Sequence, residues 1–317
     1  MKRAFVFPGQ GSQVVGMGSA LATAYASARR IFAEVDDALS QHLSRLMFEG
    51  PERELTLTEN AQPALMAASL AALRVLESEE GLDLARDVAF VAGHSLGEYS
   101  ALAAARAFSV GDTARLLKLR GQAMQQAVPV GMGAMAALLG LDIKRASAVA
   151  ADAAHREVGP DEVCAVANDN APGQVVVSGH HGAVARAINI ARTHSARAIT
   201  LPVSAPFHSP LMAPAAQVME KALDRVTLCP PVVPLVANVS ATATSDPSRI
   251  RHGLVEQVTA MVRWRESILF LKAAGIEEIV EIGAGRVLTG LVKRIDSAIA
   301  ARSVATPADV ETLMKEL

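Results

Sequence analysis

The sequence predicts an α/β protein: a large α/β domain built from both ends of the chain (residues 1–128 and 204–317), with a small four-stranded subdomain (129–203) inserted in its middle. Three observations predict it. Strand-like apolar runs alternate with helix-like segments at both ends, and a compact β-α-β-β-α-β series interrupts them between about Gly131 and Val203. Of the 317 residues 51% are hydrophobic, enough to bury a core in a chain this long.

The first strand is expected at Ala4 to Phe7, where Pro8-Gly9-Gln10-Gly11 ends it in a loop whose glycines and amides expose main-chain N–H groups. An alanine-rich helix is expected over Ala61 to Ser78. Asp87 then leads into the apolar run Val88 to Ala92, bounded by Gly93, which reads as a buried strand. Helical segments follow at Ala101 to Ala105 and Asp112 to Ala127. In the insert, strands are expected at Ala134 to Leu139, Val163 to Ala167, Gln174 to Ser178 and Ala198 to Val203. Helices at Ile143 to His155 and Ala183 to Thr193 separate them, which is the order of a ferredoxin-like split unit. After Pro210 come a short strand near Leu235, helices at Ile250 to Val262 and Ser267 to Ala274, a strand at Glu278 to Ile282 and a final helix from near Gly285.

The near balance of 30 basic and 32 acidic residues argues against nucleic acid or an anionic membrane as the main partner. Two cysteines, Cys164 and Cys229, are too few for a disulfide framework and fit no metal-site spacing, so buried free thiols are expected. The apolar run behind Met1 is too short for a signal peptide, and no stretch approaches the roughly 18 apolar residues of a membrane span. A cytoplasmic protein is expected.

Gly93-His94-Ser95-Leu96-Gly97 fits G-x-S-x-G, in which a serine on a sharp strand-to-helix turn projects its hydroxyl and the glycines admit close chain approach. The expected strand before it and helix after it give the large domain an α/β-hydrolase-like cast. They also put the Leu96 N–H at a helix N-terminus, where it can face a developing oxyanion. A serine hydroxyl needs a base, and eight histidines are available. His42, His155, His180, His181, His194 and His252 lie in polar or helical surroundings that suit the surface, and His94 adjoins the serine on the wrong side of the turn. His208, in a loop after a strand and downstream of Ser95, is favoured by chain order. Considered alone, Arg120 is one of several basic residues on an amphipathic helix and is expected at the surface, and Met124 is expected in the core.

Several blocks in register make the chain resemble the malonyl-CoA:acyl carrier protein transacylases, in the acyltransferase family of fatty acid and polyketide synthesis. They are Phe7 to Gln13, Gly93 to Ala101, Arg120-Gly121 with Met124-Gln125, Asn168 to Gly179, the His208 segment, Gln257 with Arg263-Trp264, and Glu281 to Leu291. The likeness runs from Ala4 to about Arg294. It implies Ser95 as nucleophile and His208 as base and then acid, with the imidazole oriented by the main-chain carbonyl of Gln257 rather than by an acidic residue. It further implies an oxyanion hole from the N–H groups of Gln10 and Leu96, and Arg120 as the grip on the malonyl carboxylate through two parallel hydrogen bonds. Met124 would line the acyl pocket, and Phe207 would crowd an added methyl group by about 1–3 kcal/mol. The expected reaction is ping-pong transfer of malonyl from malonyl-CoA, as substrate, to acyl carrier protein, supplying extender units for fatty acid biosynthesis. A monomer with no cofactor and no metal is expected, as is a basic patch for the carrier protein, with Arg286, Lys293 and Arg294 as candidates. An esterase or thioesterase would use the same serine and histidine; Arg120 and the ordered blocks weigh against it. The chain departs from the family at Ala260-Met261-Val262, where relatives often carry a proline near Gln257, and at Gly283-Ala284-Gly285, where they often have glycine-proline-glycine.

Overall fold

The computed structural model describes residues 1–315 except Glu157 and Ser204. Ser204, where the large domain is expected to resume, lies outside the described residues, as do Glu316 and Leu317 at its expected end. Ten strands form two sheets. In chain order they are β1 Arg3–Phe7, β2 Phe90–Gly93, β3 Gly133–Leu139, β4 Cys164–Ala171, β5 Gln174–His180, β6 Arg197–Thr200, β7 Leu235–Val236, β8 Ala243–Thr244, β9 Glu278–Ile282 and β10 Ala300–Val304.

The larger sheet has the order β10-β9-β1-β2-β7-β8 and is parallel except for β8 at its edge. A central parallel strand is covered on both faces, which is why β1 is apolar and buried from Ala4 to Phe7. Its Ala4 and Val6 point into one hydrophobic cluster and its Phe5 and Phe7 into the other. Phe7 is in register with Gly93, so the loop after β1 and the turn after β2 leave the sheet side by side. Ligands of open parallel sheets bind beyond such strand ends.

The smaller sheet is antiparallel with the order β4-β5-β3-β6. Along β3 the period is 2: Ala134, Ala136 and Leu138 pack under the helices Ile143–Ala154 and His181–Thr193, while Met135 and Ala137 join the core of the large part. β4 bulges between Val166 and Asn168 and again between Asp169 and Ala171, which turns its polar residues toward the large part. There the buried Asp169 pairs with Arg265 at 2.8 Å.

The structure corrects several expectations. The helix expected to reach Val262 spans Pro247–Glu256, because the chain beyond it bonds to the small sheet: Val262 N–H donates to the Ala167 carbonyl at 2.9 Å, and its carbonyl accepts from Asp169 N–H at 3.0 Å. β6 stops at Thr200, two residues before Pro202, which has no N–H to donate. The helix expected last spans Val287–Ile295 and is followed by β10 and a helix at Pro307–Met314. Helices at Ser19–Ala24, Ala26–Leu39, Leu43–Glu49, Glu52–Leu55 and Ala213–Leu223 were not anticipated. Cys229 is exposed rather than buried, and Cys164 is partly buried, its thiol pushed up to about 11 by burial. Among the described residues no helix is long and apolar enough to cross a membrane, and no cluster of His, Cys, Asp or Glu could hold a metal ion.

Candidate active site

Ser95 sits between β2 and the helix Leu96–Ala104 with φ 54° and ψ −110°, a conformation rare for a residue with a side chain. The flanking glycines make the turn possible. A Cβ on Gly97 would stand 2.2 Å from the Phe7 carbonyl oxygen, and one on Gly93 would stand 1.9 Å from the Gly97 carbonyl. Asn238, in the turn after β7, holds the turn from behind. Its Oδ1 accepts from Ser95 N–H at 2.8 Å and its Nδ2 donates to the Gly93 carbonyl at 2.7 Å.

His208 also has a positive φ, 56°, and is 5% exposed. Its Nε2 lies 2.8 Å from Ser95 Oγ and its Nδ1 lies 2.9 Å from the Gln257 carbonyl oxygen. A carbonyl only accepts, so Nδ1 carries the proton in the neutral ring and Nε2 is free to receive one from the serine. Burial, and then the charge of Arg120, pull the imidazole down to about 3, so the free base is the resting form. The Ala260-Met261-Val262 departure thus leaves the contact from Gln257 to His208 intact.

Arg120, on the helix Val110–Gln126, is 1% exposed and not at the surface as its helix pattern suggested. Its Nη2 donates to Ser95 Oγ at 3.1 Å and to Gln257 Oε1 at 2.9 Å, its Nη1 donates to Gln62 Oε1 at 2.8 Å, and the Tyr99 ring centroid lies 5.7 Å from its Cζ. All three acceptors are neutral. Among the described residues no carboxylate lies within 4.0 Å of it, and its Nε has no partner. Desolvation draws its pKa down, yet a guanidinium stays charged at any working pH. Glu98, one helical turn after Ser95, is the nearest buried acid in this network. It accepts at Oε2 from Asn238 N–H and Gln257 Nε2, and burial pushes its carboxyl up to about 7 against those donors and Arg120.

Gln10, Ser95, Leu96, Arg120, Met124, Phe207 and His208 line one cavity of about 380 Å³, and Gln257 stands fully buried behind them. The N–H groups of Gln10 and Leu96 have no hydrogen-bond partner among the described residues. His94 also borders the cavity, its Nε2 2.8 Å from Asn170 Oδ1 on β4. The small part supplies the far wall through Met135, Asn168, Leu201, Pro202 and Val203. Sequence reasoning missed these five and the supports Gln62, Asn238 and Glu98. Gln62 carried a signal, a polar side chain in the mostly apolar stretch Ala61 to Leu73, and Glu98 lay inside a recognised block without a role; Asn238 carried none.

A partly buried serine and a buried histidine at hydrogen-bond distance, beyond the ends of parallel strands and facing a cavity, place the chain among α/β enzymes that handle acyl groups. A family profile described as the acyl transferase domain matches residues 4–312, so the chain belongs to that family and is an acyltransferase. It is 44% identical to the malonyl CoA-acyl carrier protein transacylase of Bacillus subtilis (strain 168) over 317 residues, covering 100% of this chain and 97% of that one. The crystal structure of the acyl-carrier-protein-S-malonyltransferase from Bartonella henselae superposes with a TM-score of 0.96 at 54% identity, covering 100% of this chain and 99% of that one. A structure described as a type II PKS acyl-carrier protein in complex with its malonyl-transacylase superposes at 0.95 with 40% identity, covering 100% of both chains.

Proposed function

We propose that this chain transfers a malonyl group from malonyl-CoA to the phosphopantetheine thiol of acyl carrier protein, supplying extender units for fatty acid biosynthesis. The observation that carries the reading is Arg120: a buried guanidinium with no carboxylate at ion-pair distance, 3.1 Å from the nucleophilic oxygen. A buried charge without a counterion is costly, and the carboxylate that distinguishes malonyl from acetyl thioesters is the group that would complete it. Relatives that carry the malonyl transacylase name along their whole length support the same substrate.

In this reading Ser95 Oγ attacks the thioester carbon as its proton passes to His208 Nε2, and the N–H groups of Gln10 and Leu96 receive the oxyanion. The C–S bond breaks and the departing thiolate takes the proton from Nε2. The pantetheine thiol then gives its proton to His208 as it attacks the ester, and Ser95 recovers its own. The thioester is already activated, so no step calls on a metal or a bound organic cofactor. Met124 and Phe207 bound the acyl pocket, and the exposed Arg286, Lys293 and Arg294 are the proposed contact for an acidic carrier. We read the enzyme as a cytoplasmic monomer. The parallel order of the large sheet supports the α/β-hydrolase-like description. The βαββαβ order and the β4-β5-β3-β6 sheet support a ferredoxin-like insert bounded near 129 and 203.

The test is the intact mass of the protein after brief exposure to malonyl-CoA, with Ser95→Ala as control, followed by addition of a carrier protein bearing its pantetheine. One malonyl adduct that needs Ser95 and passes to the carrier is expected. An adduct lost only to water would establish a hydrolase instead, and no adduct would refute both.

A further inference from the structure

Gln257 meets the reacting groups on three sides. Its main-chain carbonyl faces His208, its Oε1 accepts from Arg120 and its Nε2 donates to the Ser95 carbonyl at 3.1 Å and to Glu98 Oε2 at 2.8 Å. The side-chain amide could in principle sit in either of two orientations related by a half turn. Turned over, its oxygen would face the Glu98 carboxylate and the Ser95 carbonyl, acceptor against acceptor, and its NH₂ would face the Arg120 guanidinium, donor against donor. Both mismatches would be buried, where an unmade hydrogen bond costs most. The Ser95 carbonyl is a fixed part of the turn, whereas Glu98 is 1% exposed, sits on the helix Leu96–Ala104 and contributes no atom to the cavity lining. The same Oε2 accepts from Asn238 N–H at 3.0 Å, which anchors the carboxylate against the residue that also binds Ser95 N–H.

We infer that Glu98 is a positioning residue for acyl-donor selection: its buried carboxylate fixes the Gln257 amide so that Oε1 faces Arg120 and aims the guanidinium into the cavity beside Ser95. The inference rests on the malonyl reading above, because a free carboxylate gives the donor a contact with the guanidinium that an acetyl donor lacks. Acetyl transfer, which needs Ser95 and His208 but not Arg120, serves as the internal control.

The experiment compares wild type, Glu98→Gln, Glu98→Asp and Glu98→Ala by the rate of Ser95 labelling from malonyl-CoA and from acetyl-CoA, with the circular dichroism spectrum of each recorded to show that it folds. Glu98→Gln can keep an oxygen at the Oε2 position and is expected to retain the malonyl-to-acetyl preference within about threefold. Glu98→Ala removes the acceptor, and Glu98→Asp, the second variant should alanine not fold, draws it back by one methylene. In both the preference is expected to fall by about tenfold or more, the size of one lost charge-assisted hydrogen bond. Equal loss with the two donors, or an unchanged preference in the folded variants, overturns the inference while leaving the malonyl reading standing. A wild type that takes no malonyl label overturns both.

Discussion

Arg120 concentrates the chemistry of specificity in one side chain. Hydrogen bonds between a guanidinium and a carboxylate in a desolvated site are each worth about 1.5–3 kcal/mol. Arg120→Ala is therefore expected to lower malonyl labelling of Ser95 by about a hundredfold while acetyl labelling is retained or rises; an unchanged preference between the donors would remove Arg120 from its role. His208 carries a second expectation. With its imidazole held at about 3, it is the free base from about pH 5 to 8, whereas an ordinary histidine would protonate near 6.5. Acetyl labelling, measured by mass in a rapid quench, is expected to be flat across that range, and a limb near 6.5 would contradict the depressed value. At this scale the sequence was legible where a motif carries its own geometry, at Ser95 and Leu96, and where chain order singled out His208; Gln10, known from resemblance, joins them at the cavity. Arg120 was legible only through resemblance, because an amphipathic helix does not say which of its basic residues turns inward. Asn238 and Gln62 act through contacts with residues more than 50 positions away in the chain, which no local pattern encodes.

Among the elements, the strand, turn and helix around Ser95 depend most on individual residues. Gly97→Ala would drive a methyl group to 2.2 Å from the Phe7 carbonyl oxygen, a main-chain atom that moves only with β1. Overpacking of this kind costs about 1–3 kcal/mol or more, and Ser95 would be re-aimed as β1 and the helix part. Both a lower unfolding midpoint in urea and loss of Ser95 labelling are expected, and a variant stable and active as wild type would show that the close approach is dispensable. β1, β2 and β9 were readable because parallel, doubly covered strands are continuous apolar runs, and the insert alternates at period 2; the edge strands β8 and β10 are half-exposed and carried no such run. The unanticipated helix Ala26–Leu39 carries the same kind of signal and was overlooked: its buried Ala28, Ile31, Phe32 and Val35 have helical spacing. Leu43–Glu49 and Glu52–Leu55 are too short to show a period. The end of Pro247–Glu256 is set by the bonds of Val262 to β4, a long-range pairing with no local signature.

For the molecule as a whole, His208 and Glu98 act oppositely on stability against pH. His208 falls from 6.5 to about 3 on folding, so between those values the unfolded chain binds the extra proton and stability drops as pH falls. Glu98 rises from 4.5 to about 7, so between those values the folded chain binds the extra proton and stability drops as pH rises. The two slopes oppose each other from 4.5 to 6.5, and below 4.5 only the His208 slope of this pair remains. Glu98→Gln removes one of them. Relative to wild type, its thermal midpoint is therefore expected to decline on acidification from about pH 6.5 rather than only below about 4.5, and parallel midpoints would refute the opposition.

The cavity has a further consequence at this scale. Serine, imidazole and guanidinium all come from the part built on the parallel sheet, whereas Met135, Leu201, Pro202 and Val203 come from the antiparallel part. Part of the fit thus resides on a stretch of chain separate from the reactive groups, so descendants of one ancestor could change the group they accept by altering the antiparallel part, as well as Met124 and Phe207, while inheriting the reaction unaltered.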